Sequence, residues 1–528
     1  MIEIYDTTLR DGSQGEGISF SVRDKLRIAR RLDEMGVHFI EGGWPGSNPK
    51  DIQFFAAARE ELHLKNARLC AFGCTRRRSL PAAEDSLVLE LADSGAPVVT
   101  IFGKSWQLHV REVLGVTDDE NLEMIHDTVQ FLRSRGLDVF YDAEHFFDGY
   151  KTDPGYARAT LTAAAAGGAQ RLILCDTNGG AMPWEVEAIT TAVSSEFPIR
   201  IGIHTHNDSE LGVAAALAGV RGGATQVQGT INGFGERTGN CNLISIIANL
   251  RLKMDKECIS DEQLMRLSEL SAFVDEIANL PPNDRRPFVG KTAFAHKAGT
   301  HADAVRKNPR TCEHIDPTSI GNDRRVLVSE LSGGSTIVLK ASELGVDLGK
   351  KDPATRRIVE NIARLEADGY VFEGAEATFE LLLRREKGEG RRPFELERFR
   401  IFASKRRHDD EPITEAILKI VVNDQPIHVA AEGDGPVHAL DRALRAALVP
   451  FYPQLERVRL TDYKVRVVDA KDATAAKVRV LVESTDGVAT WSTIGVSTNI
   501  IEASWQALAD SVEFALLAAA RRAGTEAP

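Results

Sequence analysis

The chain has 528 residues, 43% of them hydrophobic and 27% charged, and a formal net charge of −13. That length exceeds one ordinary domain and suits two or three, and the composition is that of a soluble globular protein. The acidic balance disfavours non-specific nucleic-acid binding and suits an enzyme acting on small metabolites. No apolar run is long enough to span a bilayer, and Met1 to Asp6 lacks the basic and apolar regions of a secretory leader. Six cysteines (Cys70, Cys74, Cys175, Cys241, Cys258, Cys312) are scattered without CxxC pairs. They read as reduced thiols, so a cytoplasmic protein without a membrane partner is expected.

The first half repeats one pattern: a short apolar strand, a polar loop, an amphipathic helix. Strand-like runs start at Ile2, Phe39, Ala67, Val98, Asp138, Arg171, Arg200 and Thr225. The helices that follow are expected near 22–35, 52–62, 83–92, 120–135, 154–166, 184–195, 211–220 and 243–252. Gly36, Gly136 and Gly167 read as C-terminal stops. Eight strand–helix units in about 265 residues predict a (β/α)8 TIM barrel. A doubly wound sheet competes, but its ligands cluster at one switch point, whereas polar motifs here follow many strands.

Residues 266–404 break the pattern, with a turn-rich link at 281–287, charged helices at 353–368 and 373–385, and a solvated charge run at 384–393. They are expected to form a helical accessory region. From about 405 to 528 the grammar becomes period-two strands (414–422, 463–468, 478–483, 489–496) with helices at 437–448 and 500–520. A loose duplication of a strand–strand–helix unit, and so a separate α+β domain, is expected.

In a barrel, chemistry sits where strands end. Strand one runs into Asp6-Thr7-Thr8-Leu9-Arg10-Asp11-Gly12-Ser13-Gln14, and strand five into Asp142-Ala143-Glu144. Strand six runs into Asp176-Thr177-Asn178 and strand seven into His204-Thr205-His206. His204 and His206, two apart on one strand, share a face, while Ile201 and Ile203 point the other way. Taken alone, a hydrogen-bonded pair of surface histidines explains that spacing equally well. Asp11, His204, His206 and Asn240 are together a candidate set for a divalent ion with open positions for substrate. The glycine run 233–239 lacks the Walker lysine and the dinucleotide spacing.

Three of these stretches, 6–14, 204–208 and 232–240, resemble the signatures of the metal-dependent Claisen-condensing enzymes in the HMG-CoA-lyase-like barrel superfamily: isopropylmalate, homocitrate and citramalate synthases. The third is the synthase form; the lyases carry a cysteine-bearing glycine loop there. The resemblance extends to the C-terminal domain, which looks like the family's amino-acid-sensing regulatory domain. It implies a divalent metal ion (zinc, manganese or magnesium) on Asp11, His204, His206 and Asn240, with acetyl-CoA as co-substrate. It assigns Glu144 to acid/base work and Arg10 to developing negative charge. Arg10, Gln14 and Thr177 are assigned to the keto acid. His301 matches an accessory-region histidine that reaches the active site of the other subunit, which implies a homodimer. The tyrosine that family members often carry some thirty residues later has no counterpart in 320–325. Stretches 41–51 and 368–377 are similar to the citramalate synthase branch, which implies pyruvate as substrate and isoleucine as effector. Isopropylmalate and homocitrate synthases are the alternatives, followed by a carbon–carbon lyase and a non-catalytic sensor.

Overall fold

The computed structural model describes residues 1–297, 299–326, 337–338, 341–342, 344–349, 352–372, 375–389, 392–405, 411–468 and 476–523. Part of the 368–377 stretch therefore lies outside the described residues. They divide into two compact units, 1–294 with 314–324, and 295–313 with 325–528. No helix among them is long and apolar enough to cross a membrane.

In the first unit, eight parallel strands close into a barrel in sequential order. They are β1 (Glu3–Asp6), β2 (Phe39–Gly43), β3 (Arg68–Cys74), β4 (Val98–Lys104), β5 (Asp138–Glu144), β6 (Arg171–Asp176), β7 (Arg200–Thr205) and β8 (Gln226–Gly229). Strand alternation sorts the side chains. Ile4, Ile40, Val99, Ile101, Val139, Leu172, Leu174, Ile201, Ile203 and Val227 join the apolar core shared with the helices. The other parity forms a separate inner layer of Tyr5, Phe39, Cys70, Val98 and Phe140. At the N-terminal end of the strands, Glu3 accepts from Arg171 (2.9 and 3.0 Å), Arg200 (2.5 Å) and Gln226 (3.3 Å). That charged cluster plugs the barrel floor, so the open, functional end is the C-terminal one.

The helices start where capping residues stand. Ser21 closes a capping box with Asp24, and Asn48, Asp85, Thr117, Asp153 and Asn242 each accept a first-turn backbone N–H. Each such cap is worth about 1 kcal/mol. Gly36 and Gly136 follow their helices at positive φ, whereas Gly167 is the last helical residue and Gly168 (φ +99°) is the stop. β4 and β5 run to Lys104 and Glu144, so Asp142, Ala143 and Glu144 belong to the strand and not to the loop after it, because the ladder continues through Phe102↔Asp142 and Lys104↔Glu144. A helix absent from the sequence reading, Phe146–Thr152, follows β5 at once, entered through His145 in the left-handed region (φ +56°).

In the second unit, a three-stranded antiparallel sheet and a helix occur twice. Glu395–Ser404, Ile413–Val422 and Gln425–Gly433 precede helix Pro436–Leu448; Arg459–Val467, Val478–Thr485 and Thr490–Ser497 precede helix Ile500–Ala523. The first copy therefore has two strands beyond the expected one, Glu395–Ser404 and Gln425–Gly433, while all three strands of the second were expected. Asn423 and Asp424, both at positive φ, form the two-residue turn of a tight hairpin, which the sequence reading passed over. Ala416, Leu418, Ile420 and Val422 alternate onto the helix face and pack with Leu440 and Leu444.

Candidate active site at the barrel mouth

At the C-terminal end of β7, His204 Nε2 lies 3.3 Å from His206 Nε2 and 3.5 Å from Asp11 Oδ2. Among the described residues these three form the one cluster whose His, Cys, Asp or Glu donors all lie within 4.8 Å of one another. Donors about 2.1 Å from a shared ion, at tetrahedral to octahedral angles, stand roughly 3.0–3.4 Å apart. The observed spacings fit that requirement. All three residues are buried, and a cation between the two Nε2 atoms would satisfy both lone pairs, where otherwise one ring must donate an Nε2–H to the other.

The surroundings prepare the donors. His204 Nδ1–H donates to Gln228 Oε1 (2.9 Å), and Gln228 Nε2 donates to Asp142 Oδ1 (3.1 Å). That relay places the His204 proton on Nδ1 and leaves Nε2 with its lone pair. Burial, with His204 beside it, lowers His206 to about 3, so its ring is neutral. Burial would raise the Asp11 carboxyl, but Arg10, His204 and His206 outweigh it and hold it below its ordinary value. Burial, reinforced by Glu41, raises Asp142 well above its ordinary value.

Asn240 is brought alongside by a backbone bridge to His206. Its Oδ1 is buried and has no hydrogen-bond partner among the described residues, as expected of an oxygen aimed at an ion. The loop that carries it depends on Gly235 (φ +152°), where a Cβ would stand 2.2 Å from Asn240 Nδ2. Arg237 ties this loop to its neighbours, reaching Asp208 (2.7 and 2.9 Å) and the Thr177 carbonyl (2.8 Å).

Arg10 is fixed on three sides. Nε donates to Glu41 Oε1 (2.5 Å), Nη1 lies 3.3 Å from Asp11 Oδ2, and the guanidinium stacks 3.7 Å above the Phe72 ring. Burial opposes its charge, yet Glu41 and Asp11 raise the group above its ordinary value, so it stays a cation. Glu41 also accepts from Tyr5 (2.6 Å) and Thr7 (2.5 Å). Thr177 Oγ1 accepts the His145 N–H (2.9 Å), which turns its own proton away for donation elsewhere.

Arg10, Asp11, Gln14, Glu144, Thr177, His204 and His206 all line one cavity of about 230 Å3. His301 does not line it; it is exposed on helix Gly299–Lys307 of the second unit. Trp44, Phe72 and Phe102 form one wall, with ring centroids 5.5–6.0 Å apart. The Trp44 backbone is held by Asp51, which accepts its main-chain N–H (2.9 Å) and pairs with buried Lys25 (2.5 Å). Sequence reasoning missed Glu41, Lys104, Asp142, Gln228 and this aromatic wall. Their signal was strand parity: each of the four polar residues is in phase with a residue already singled out or with its strand's inner face.

Residues 1–274 match the HMGL-like family model, 288–369 the homocitrate synthase post-HMGL domain-like model, and 373–516 the LeuA allosteric (dimerisation) domain. The chain belongs to the HMGL-like family of metal-dependent barrel enzymes. Within it, the chain groups with the condensing transferases called (R)-citramalate synthases. It is 53% identical to the (R)-citramalate synthase of Geobacter sulfurreducens over 98% of both chains, and 52% identical to that of Aquifex aeolicus over 98% of both. Identity falls to 30% with the 2-isopropylmalate synthase of Citrobacter koseri, over 96% of this chain and 93% of that one.

Proposed function

We propose that the chain condenses acetyl-CoA with pyruvate and, with water, releases (R)-citramalate and free CoA. The observation that carries this reading is the convergence of Asp11, His204 and His206 beside Arg10 and Thr177 in one cavity. A divalent ion (zinc, manganese or magnesium) held by those three, with the Asn240 amide oxygen, supplies Lewis acidity toward the keto acid. Imidazole donors favour the transition metals.

The protein's own groups do the rest. Thr177 donates its hydroxyl proton to the keto-acid carboxylate, and Gln14 borders the same pocket. Arg10, locked in place before substrate arrives, faces the oxygen on which negative charge develops. Glu144 takes a proton from the acetyl methyl, whose carbon then attacks the ketone carbon. Thioester hydrolysis makes the sequence irreversible. Trp44, Phe72 and Phe102 line the same cavity as Arg10 and Thr177 and suit the keto acid's alkyl group, while the choice of pyruvate is supported by the likeness to the (R)-citramalate synthases.

The LeuA-type domain supports a homodimer, with His301 completing the partner subunit's site and isoleucine as feedback effector in branched-chain amino-acid synthesis. Free cysteines, four of the six buried, fit a reducing cytoplasm. A thiol-release assay over a panel of 2-keto acids, with and without isoleucine, tests this. Pyruvate should be turned over fastest, with isoleucine lowering the rate. Faster turnover of 2-ketoisovalerate would overturn the substrate assignment, and an unchanged rate with isoleucine the effector.

A further inference from the structure

Lys104 belongs to no motif and does not line the cavity, yet it ends β4 directly opposite Glu144 at the end of β5. Its ammonium group hydrogen-bonds Glu144 Oε2. We infer that Lys104 is a positioning residue for the condensation, holding the Glu144 carboxylate where it meets the acetyl methyl. The inference rests on the reading of Glu144 as the acid/base.

The mounting is rigid on both sides. Ser105 N–H donates to the Glu144 carbonyl (3.0 Å), and Asn121 Nδ2 donates to the Lys104 carbonyl (2.9 Å) and to Tyr156 Oη (2.8 Å). The Lys104 ammonium sits 5.3 Å from the centre of the Phe102 ring. With the backbones fixed, the freedom left is in the two side chains, which are 13% and 23% exposed. Binding one carboxylate oxygen settles the Glu144 rotamer and leaves the other oxygen for the proton. For an ion pair this far from water, desolvation offsets much of the attraction, so it is weak evidence of a stabilising role. Its effect is geometric, and a base displaced by an ångström loses on the order of 100-fold in rate.

The test uses the full-length, metal-loaded enzyme, comparing Lys104→Met, Lys104→Arg, Glu144→Gln and the Lys104→Met/Glu144→Gln double variant. Lys104→Met should keep its metal content and its KM for pyruvate, lose about 100-fold in kcat, and show a larger isotope effect with methyl-deuterated acetyl-CoA. Lys104→Arg should recover part of the rate, and the double variant should be no slower than Glu144→Gln. If Glu144→Gln is inactive while Lys104→Met keeps near-normal kcat and isotope effect, or if the losses multiply in the double variant, the positioning role is wrong. A near-normal Glu144→Gln enzyme would instead overturn the reading of Glu144 itself.

Discussion

The barrel mouth and the C-terminal strand–helix modules are built from the same period-two strands and use them oppositely. In the modules, strand Ile413–Val422 buries Thr414, Ala416, Leu418, Ile420 and Val422 on one face, and its other residues are exposed or partly so. In the barrel, both faces are buried: the outer face is apolar, while the inner face carries Glu41, Asp142, His204, Gln226 and Gln228, all nearly inaccessible. A buried polar face persists only where nearly all its groups have a partner or an ion to meet. Chemistry is therefore expected at the mouth, and regulation or assembly at the modules.

The comparison is broken most severely at the ion. His204→Ala should abolish metal retention and turnover together, by more than about 1,000-fold, whereas Arg10→Ala should keep the metal and lose roughly 100- to 1,000-fold in kcat. Metal analysis beside thiol-release kinetics separates the two, and a fully metallated, near-normal Arg10→Ala would refute its assigned role. Gln228→Leu releases the His204 proton from Nδ1 and should weaken metal affinity about 10- to 100-fold, read by chelator competition. Unchanged affinity would mean the relay does not set the tautomer. Leu444→Ala, in the module core, should cost about 2–5 kcal/mol in unfolding of the second unit and leave metal affinity untouched. Loss of metal there would mean the two regions do not divide the work.

Much of this division was legible in the sequence, because strand parity and strand ends are local properties. The eight strand–helix units follow from local patterning, the shared His204/His206 face from alternation, and the 6–14 loop from its place at a strand end. What was not legible depends on register between strands far apart in the chain. Lys104 gains meaning only once β4 pairs with β5. Gln228 matters because His204 stands beside it in the β7–β8 ladder. The strand Glu395–Ser404 was hidden by its charges, since six of its residues are Glu, Arg, Phe or Ser at exposed positions and only two, Phe399 and Ile401, are half-buried. A cut at the expected 404/405 boundary would therefore separate that strand from the sheet it begins.

X-ray absorption of the metal-loaded protein reads the ion's ligands directly. Two imidazole nitrogens and carboxylate or amide oxygens are predicted, with one imidazole lost in His206→Ala. A coordination shell of oxygens alone, unchanged by that substitution, would contradict the site.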